Sequence, residues 1–346
     1  MKNLRFAVLG TGFWSTYQIA GWRELDGIEL VALYNRTRTR AEQVAGQFNI
    51  DHVYDDADEL LRNHADEVDF VDIITDVDTH ALFTEKAAAA GLNVICQKPM
   101  GPNLQTAQRM VDTCRQAGVQ FYVHENFRWQ SSIRKLKSII DSGVIGDVFK
   151  AQISFCSGFA VFDNQPFLAE LEQFILTDIG SHILDVCRFL FGEVNTLYCQ
   201  TTRVNSRIKG EDVANVAMTM QNGIICQAEM SYASILEKEA FPQTLALVEG
   251  SQGSVRLTHD FVLNVTTRSG TDTQTASPVM YPWLDPAYAV VHASIVDCNR
   301  NILSALQGQG TAETTGSDNL ETIRLVYAAY ESARTNSLIT VTSFGR

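Results

Sequence analysis

The chain has 346 residues, room for about two domains, with 45% hydrophobic and 19% charged residues, a balance that excludes wholesale disorder. Lys and Arg number 27 against 40 Asp and Glu, a formal net charge of −13; without clustered cations this argues against nucleic acid as the main partner and reads as a solvated surface. No stretch reaches the ~18 uninterrupted apolar residues of a membrane span.

The opening MKNLRFAVLG turns polar too quickly for a signal peptide. Seven scattered cysteines without a Cys-x-x-Cys pair suit reduced thiols, not a zinc site or a disulfide frame. A cytoplasmic protein without a bound metal is expected.

Short apolar runs alternate with helix-like stretches over the first 125 residues, the pattern of a parallel sheet wound with helices. The first strand, residues 6–9, ends in Gly10-Thr11-Gly12-Phe13-Trp14-Ser15, where a helix begins. This is a G-x-G-x-x-G pattern with Ser15 at the third glycine. Gly10 permits the tight turn, Gly12 lets a pyrophosphate approach the backbone at a helix N-terminus, and the third position need only be small. Placement directly after a strand gives the pattern its weight.

The second strand, residues 30–34, ends at Asn35, where an acidic side chain would hold an adenosine ribose. Asn35 can hydrogen-bond hydroxyls without repelling a 2′-phosphate, and Arg36, Arg38 and Arg40 follow at alternate positions. Chemistry alone admits NADP as readily as NAD. For Arg38 a solvated helix start is the simpler reading. Strand 71–75 leads into Thr75, Asp76, Asp78 and His80, the start of a helix beside the cofactor.

Strand 94–96 leads into Gln97-Lys98-Pro99, at the carboxyl edge where open α/β sheets bind ligands. Pro99 biases Lys98 toward extended backbone. Helices over 84–90 and 106–116 end before Gly91 and Gly118, suited to left-handed C-terminal turns, and strand 121–123 completes the set.

After about residue 125 the texture changes to longer alternating segments: 148–156, 196–204, 213–220, 241–248, 254–257 and 261–267. Asn222-Gly223 marks a hairpin. A mostly antiparallel, open sheet is expected in a second, α+β domain over residues 126–346, following a Rossmann-type domain over 1–125. Residues 318–332 form a closing helix. Within the apolar helix 176–191, Asp178, His182 and Asp185 fall at i, i+4 and i+7. Burying such groups unpaired costs several kcal/mol (~2–7 each), so they are paired in the core or face a polar cavity. With a dinucleotide loop in the same chain, an active site is the favoured reading. His124 is open between a place in the site and a structural role.

The nucleotide loop, Gln97-Lys98-Pro99, the run His124-Glu125-Asn126-Phe127-Arg128-Trp129 and Asp178-x-x-x-His182 occur in the order of the glucose–fructose oxidoreductase/inositol dehydrogenase (Gfo/Idh/MocA) family, which the chain resembles over nearly its whole length. The resemblance implies a Rossmann domain, an open-sheet domain that assembles subunits into a homo-dimer or homo-tetramer, and hydride transfer between a nicotinamide and a sugar or polyol carbon. It implies Lys98, Asp178 and His182 as the catalytic set. Gln97 departs from the glutamate usual there. Tyr34-Asn35-Arg36-Thr37, Cys96-Gln97-Lys98-Pro99 and Asp163-Asn164-Gln165-Pro166-Phe167-Leu168 narrow the likeness to members that oxidise a branched aldofuranose to its lactone with NAD.

The expected cofactor set is Gly10, Gly12, Phe13, Trp14, Asn35, Arg36, Arg40, Thr75, Asp76, Asp78, His80, Gln97, Lys98 and Asn126. The expected substrate set is Lys98, Asp163, Gln165, Asp178, His182 and Tyr288. Another polyol or sugar dehydrogenase or an NADP-dependent reductase of the same family, an NAD-dependent glycosidase with no net cofactor turnover, and a non-enzymatic dinucleotide sensor are the alternatives. A sensor needs the loop but not the acid–base set.

Overall fold

The structure, a computed structural model, describes residues 3–346. Its contacts form two compact units. The first holds the chain up to Asn126 together with Tyr281–Asp285 and Ile295–Ile323; the second holds Phe127–Met280, Pro286–Ser294 and Arg324–Arg346.

In the first unit the elements run β1 (Leu4–Leu9), α1 (Phe13–Arg23), β2 (Ile28–Tyr34), α2 (Arg38–Phe48), β3 (His52–Tyr54), α3 (Ala57–His64), β4 (Phe70–Ile73), α4 (Val77–Ala89), β5 (Asn93–Gln97), α5 (Leu104–Ala117) and β6 (Phe121–His124). All six strands are parallel, in the order β3-β2-β1-β4-β5-β6. Strands β4 and β6 are buried at every position, because helices cover both faces of such a sheet. The order reverses between β1 and β4, which puts the loops after those strands at a ligand-binding crevice. Gly91 and Gly118 take φ of +75° and +72° at the ends of α4 and α5, as expected of C-terminal glycines.

The second unit contains α6 (Ser131–Asp141), β7 (Val148–Cys156), α7 (Val161–Asn164), α8 (Ser181–Phe191), β8 (Val194–Thr202), β9 (Val213–Met220), β10 (Ile225–Ser231), β11 (Leu245–Gly250), β12 (Gly253–Thr258), β13 (Val262–Thr267) and β14 (Gly270–Thr275). Helices α9 (Ala289–Leu306) and α10 (Gly316–Thr335) are each divided between the two units, and β15 (Ile339–Thr340) belongs to the second. The nine-stranded sheet runs β14-β13-β12-β11-β7-β10-β9-β8-β15. Every pairing is antiparallel except β7 with β10. On the covered face Ala151, Ile153 and Phe155 meet the apolar residues of α8 in one core.

Three expectations are corrected. The segment 241–248 enters the sheet only at Leu245: Pro242 has no N–H to give, and the Gln243 N–H turns back to Ala240 O at 2.7 Å. The helix expected over 176–191 is two pieces, a π-helical turn at Leu176–Gly180 followed by α8. Residues 295–323, read above with the second domain, pack in the first unit. There Tyr122 bridges Thr315, and a Cβ on Gly21 would lie 2.6 Å from Ile295 Cγ2.

Candidate functional site

The loop after β1 is shaped by its two glycines for different reasons. Gly10 has φ of +108°, and a Cβ there would stand 2.5 Å from Ile74 O, so the protein itself demands glycine. Gly12 is extended, and a Cβ on it would meet nothing within 4 Å. The packing of the chain therefore does not require glycine at this position. Gly12 caps α1 with no side-chain hydrogen bond, and no acidic residue stands in the first turn, so the helix offers N–H groups and an unopposed dipole to an anion. Ser15 is buried and its hydroxyl donates to Gly12 O at 2.6 Å; a small third residue suffices. The cradle fits a dinucleotide pyrophosphate.

Around it, Phe13 is exposed and Trp14 half-buried, with Tyr17 in ring contact with both. Asn35 Oδ1 accepts the Thr11 N–H at 3.3 Å and its Nδ2 donates to Thr37 O at 3.0 Å. The side chain at the ribose position thus also braces the glycine loop. Arg36 and Arg40 are exposed, while Arg38 pairs with Glu42 at 3.0 Å, the solvated helix start anticipated for it. Asp76 and Asp78 are exposed at the start of α4, and Thr75 accepts from the Thr79 hydroxyl at 2.8 Å. His80 is buried, with Nδ1 3.1 Å from Pro99 O and Nε2 3.0 Å from Thr75 O; burial pushes its pKa down, against the pull of those carbonyls. It ties the loop after β4 to the turn that carries Lys98. Lys98 is half-buried beside a cis bond to Pro99, and Asn126 is buried.

Gln97 is occupied within the protein. Its Nε2 donates to Gln18 Oε1 at 2.6 Å, and its Oε1 accepts the Lys98 N–H at 2.8 Å. Gln18 in turn reaches the buried Asp72. The sequence gives no sign of this chain beyond an aspartate inside an apolar strand.

In the second unit His182 is 4% exposed and lies flat on Phe127, ring centroids 3.8 Å apart at 8°. Asp178 sits half-buried on the π-helical turn, hydrogen-bonded to Tyr232, whose phenol is pushed well above its ordinary range by burial and by that carboxylate. Such a group can hold a proton at a defined place; His182, four positions after Asp178 in the chain, is the side chain suited to proton exchange near neutrality. Asp185 is bound elsewhere: Arg128 grips it with two bonds of 2.7 and 2.6 Å, both side chains buried. The i, i+4, i+7 stripe therefore divides: Asp178 meets Tyr232, His182 meets Phe127, and Asp185 belongs to a core ion pair. Asp163 is exposed and Gln165 half-buried. Tyr288 stands edge-on to Phe159 and Phe241, which stack at 3.9 Å. Sequence reasoning missed Tyr232, Phe159 and Phe241, since no local pattern marks them.

Among the described residues no group of His, Cys, Asp or Glu could hold a metal ion, and no helix is long and apolar enough to cross a membrane.

Residues 4–125 match the profile described as "Oxidoreductase family, NAD-binding Rossmann fold", and residues 133–256 that of the "GFO/IDH/MocA C-terminal domain". A D-apiose dehydrogenase of Paraburkholderia graminis is 43% identical over 96% of this chain and 88% of its own. One from Rhizobium rhizogenes is 41% identical over 96% of both. An oxidoreductase from Agrobacterium radiobacter, solved in complex with NAD+, L-tartaric acid and magnesium, superposes with a TM-score of 0.96 at 40% identity, covering 99% of each chain. Profile, sequence and fold agree: the chain belongs to the Gfo/Idh/MocA family of NAD-binding oxidoreductases.

Proposed function

We propose that the chain is an NAD-dependent sugar dehydrogenase that oxidises the anomeric carbon of D-apiose to D-apionolactone. The observation that carries this reading is the 43% and 41% identity to two D-apiose dehydrogenases over 96% of the chain. The bare cradle at Gly12 supports it independently. NAD bound there supplies the hydride acceptor. Oxidation removes a hydride from carbon and a proton from the hydroxyl oxygen, so the chain must supply a base. His182 takes that proton and passes it to solvent. Asp178 favours the cationic ring, and Lys98, on the first unit, offsets negative charge as it develops on the oxygen. Arg36 and Asn35 are assigned to the adenosine, and Asp163, Gln165 and Tyr288 to the sugar. Seven free cysteines, six of them buried, suit a reducing cytoplasm.

The test is NADH formation by the purified protein with free aldoses and polyols, NAD and NADP supplied separately. Net NADH and a lactone from D-apiose are expected. Cleavage of glycosides without net NADH would instead establish a glycosidase, and NAD binding without turnover a sensor. A tenfold or greater preference for NADP would overturn the cofactor assignment.

A further inference from the structure

Asp72 stands in the middle of β4 at 0% exposure, and the groups that meet it are N–H donors. Gln18 Nε2 lies 2.8 Å from both carboxylate oxygens, and Trp22 Nε1 lies 2.8 Å from Oδ2. An ionised carboxylate only accepts, so it turns the Gln18 amide with nitrogen inward and Oε1 outward. That Oε1 accepts from Gln97 Nε2 at 2.6 Å. Gln97 Oε1 must then face the other way, where it accepts the Lys98 main-chain N–H at 2.8 Å. The second hydrogen of Gln97 Nε2 points at His124 Nδ1, 3.4 Å away, and His124 Nε2 lies 3.0 Å from Asn299 Oδ1. Gln18, Gln97, His124 and Asn299 are all buried. Amide orientations and imidazole tautomers follow from such partners, and here one acceptor-only group orients them all.

We propose that Asp72 is a positioning residue: through Gln18 and Gln97 it sets the direction of each hydrogen bond ending at the Lys98 main chain and at His124, and it holds His124 as a neutral ring protonated on Nε2. A proton on Nδ1 would set N–H against the Gln97 N–H. His124 is thereby a polar strut and not the base. The catalytic weight of Lys98 rests on the dehydrogenase reading above; the state of His124 does not.

The chain is reversible as a whole. Asn at position 72 would give Trp22 its oxygen and Gln18 its N–H₂, turning Gln18 around. Gln97 would then have to give its oxygen to Gln18 and set nitrogen against the Lys98 N–H. Glu at position 97 alone would put a second carboxylate against Gln18 Oε1. Together the two substitutions move the acceptor-only end from 72 to 97 and rematch every donor, with His124 protonated on Nδ1.

The experiment has two arms, both run at about pH 8.5, above the value of about 7 to which burial raises Asp72, so that its carboxylate is ionised. Nuclear magnetic resonance of the histidine-labelled chain, with His124 assigned by difference against His124→Gln, should show a neutral ring protonated on Nε2. A cationic or Nδ1-protonated His124 overturns the proposal without reference to any substrate. In the second arm kcat is measured for Asp72→Asn, Gln97→Glu and the double variant, with melting temperature as the folding control. Each single variant should lose about tenfold or more in kcat, and the double should return to within about threefold of the parent with the tautomer reversed. Single variants that retain full kcat, or a double whose losses simply add, would sink the idea. Should the single variants fail to fold, the spectrum of the parent decides. Absence of turnover with any sugar would remove the dehydrogenase reading and leave the spectrum to judge this one.

Discussion

At Gly12 nothing within the protein would object to a methyl group, whereas at Gly10 both φ and the Ile74 carbonyl would. The pair separates cofactor binding from folding. Gly12→Ala should leave the melting temperature within a degree or so and raise the Kd for NAD by about tenfold or more, ~1.4 kcal/mol; Gly10→Ala should lower the melting temperature as well. Unchanged NAD binding in Gly12→Ala would refute the cradle. His182 is tested as sharply. General base catalysis contributes ~10²- to 10⁴-fold, so His182→Ala should lower kcat by that much while NAD still binds, and near-full kcat in a folded variant would assign the base elsewhere. Asp72 carries a different signature. Burial pushes its carboxyl up to about 7 from the ordinary 3.8. Between those values the folded chain keeps a proton that the unfolded chain releases. Stability therefore falls as pH rises through the window, by ~4 kcal/mol at most, and levels off above it. Denaturation midpoints measured from about pH 5 to pH 8 should show that slope in the parent and not in Asp72→Asn.

The helix that carries His182 shows what periodicity can and cannot tell. Its apolar stripe announces burial, and all of α8 except Phe189 is buried. The hydrogen-bond pattern of the preceding turn has no signature in hydrophobic spacing, so Leu176–Gly180 reads as ordinary helix although it is π-helical. A π-helical turn shifts the residues before it relative to those after it. Partners are equally hidden: Asp185 finds Arg128, 57 positions earlier, because the turn Phe127–Trp129 packs against α8. Removing one member of a buried pair leaves the other charged and alone, typically at 3–5 kcal/mol. Asp185→Ala should accordingly lower the melting temperature by several degrees, a loss that Asp178→Ala should not reproduce. Equal destabilisation by both would place Asp178 in the core instead of the site. By contrast β1, β4, β5 and β6 were legible, because strands covered on both faces are dominated by short apolar runs. The three-residue β3 and the polar β14 lack that mark.

For the whole molecule the open question is what covers the second face of the nine-stranded sheet. Its strands alternate: Ala214, Val216, Met218 and Met220 of β9 are buried, while Asn215, Ala217 and Thr219 between them are exposed. Beside them Ile225 of β10 is 61% exposed and pairs with Thr219 and Lys150. An open antiparallel sheet accepts solvent on one face when that face is polar. Here small and apolar side chains interrupt the polar ones, a composition suited to a second sheet of the same kind. Two copies meeting through this face would form an isologous interface, in which each substitution counts twice. We therefore expect a dimer or tetramer in solution. Ile225→Lys should shift it toward monomer, because each copy would bring an added charge into the interface while each sheet keeps its own hydrogen bonds. Light scattering at micromolar concentration, with circular dichroism as the control for folding, reads this directly. A monomeric parent would show that the face is solvated, and an unchanged oligomer in the variant would place the interface elsewhere.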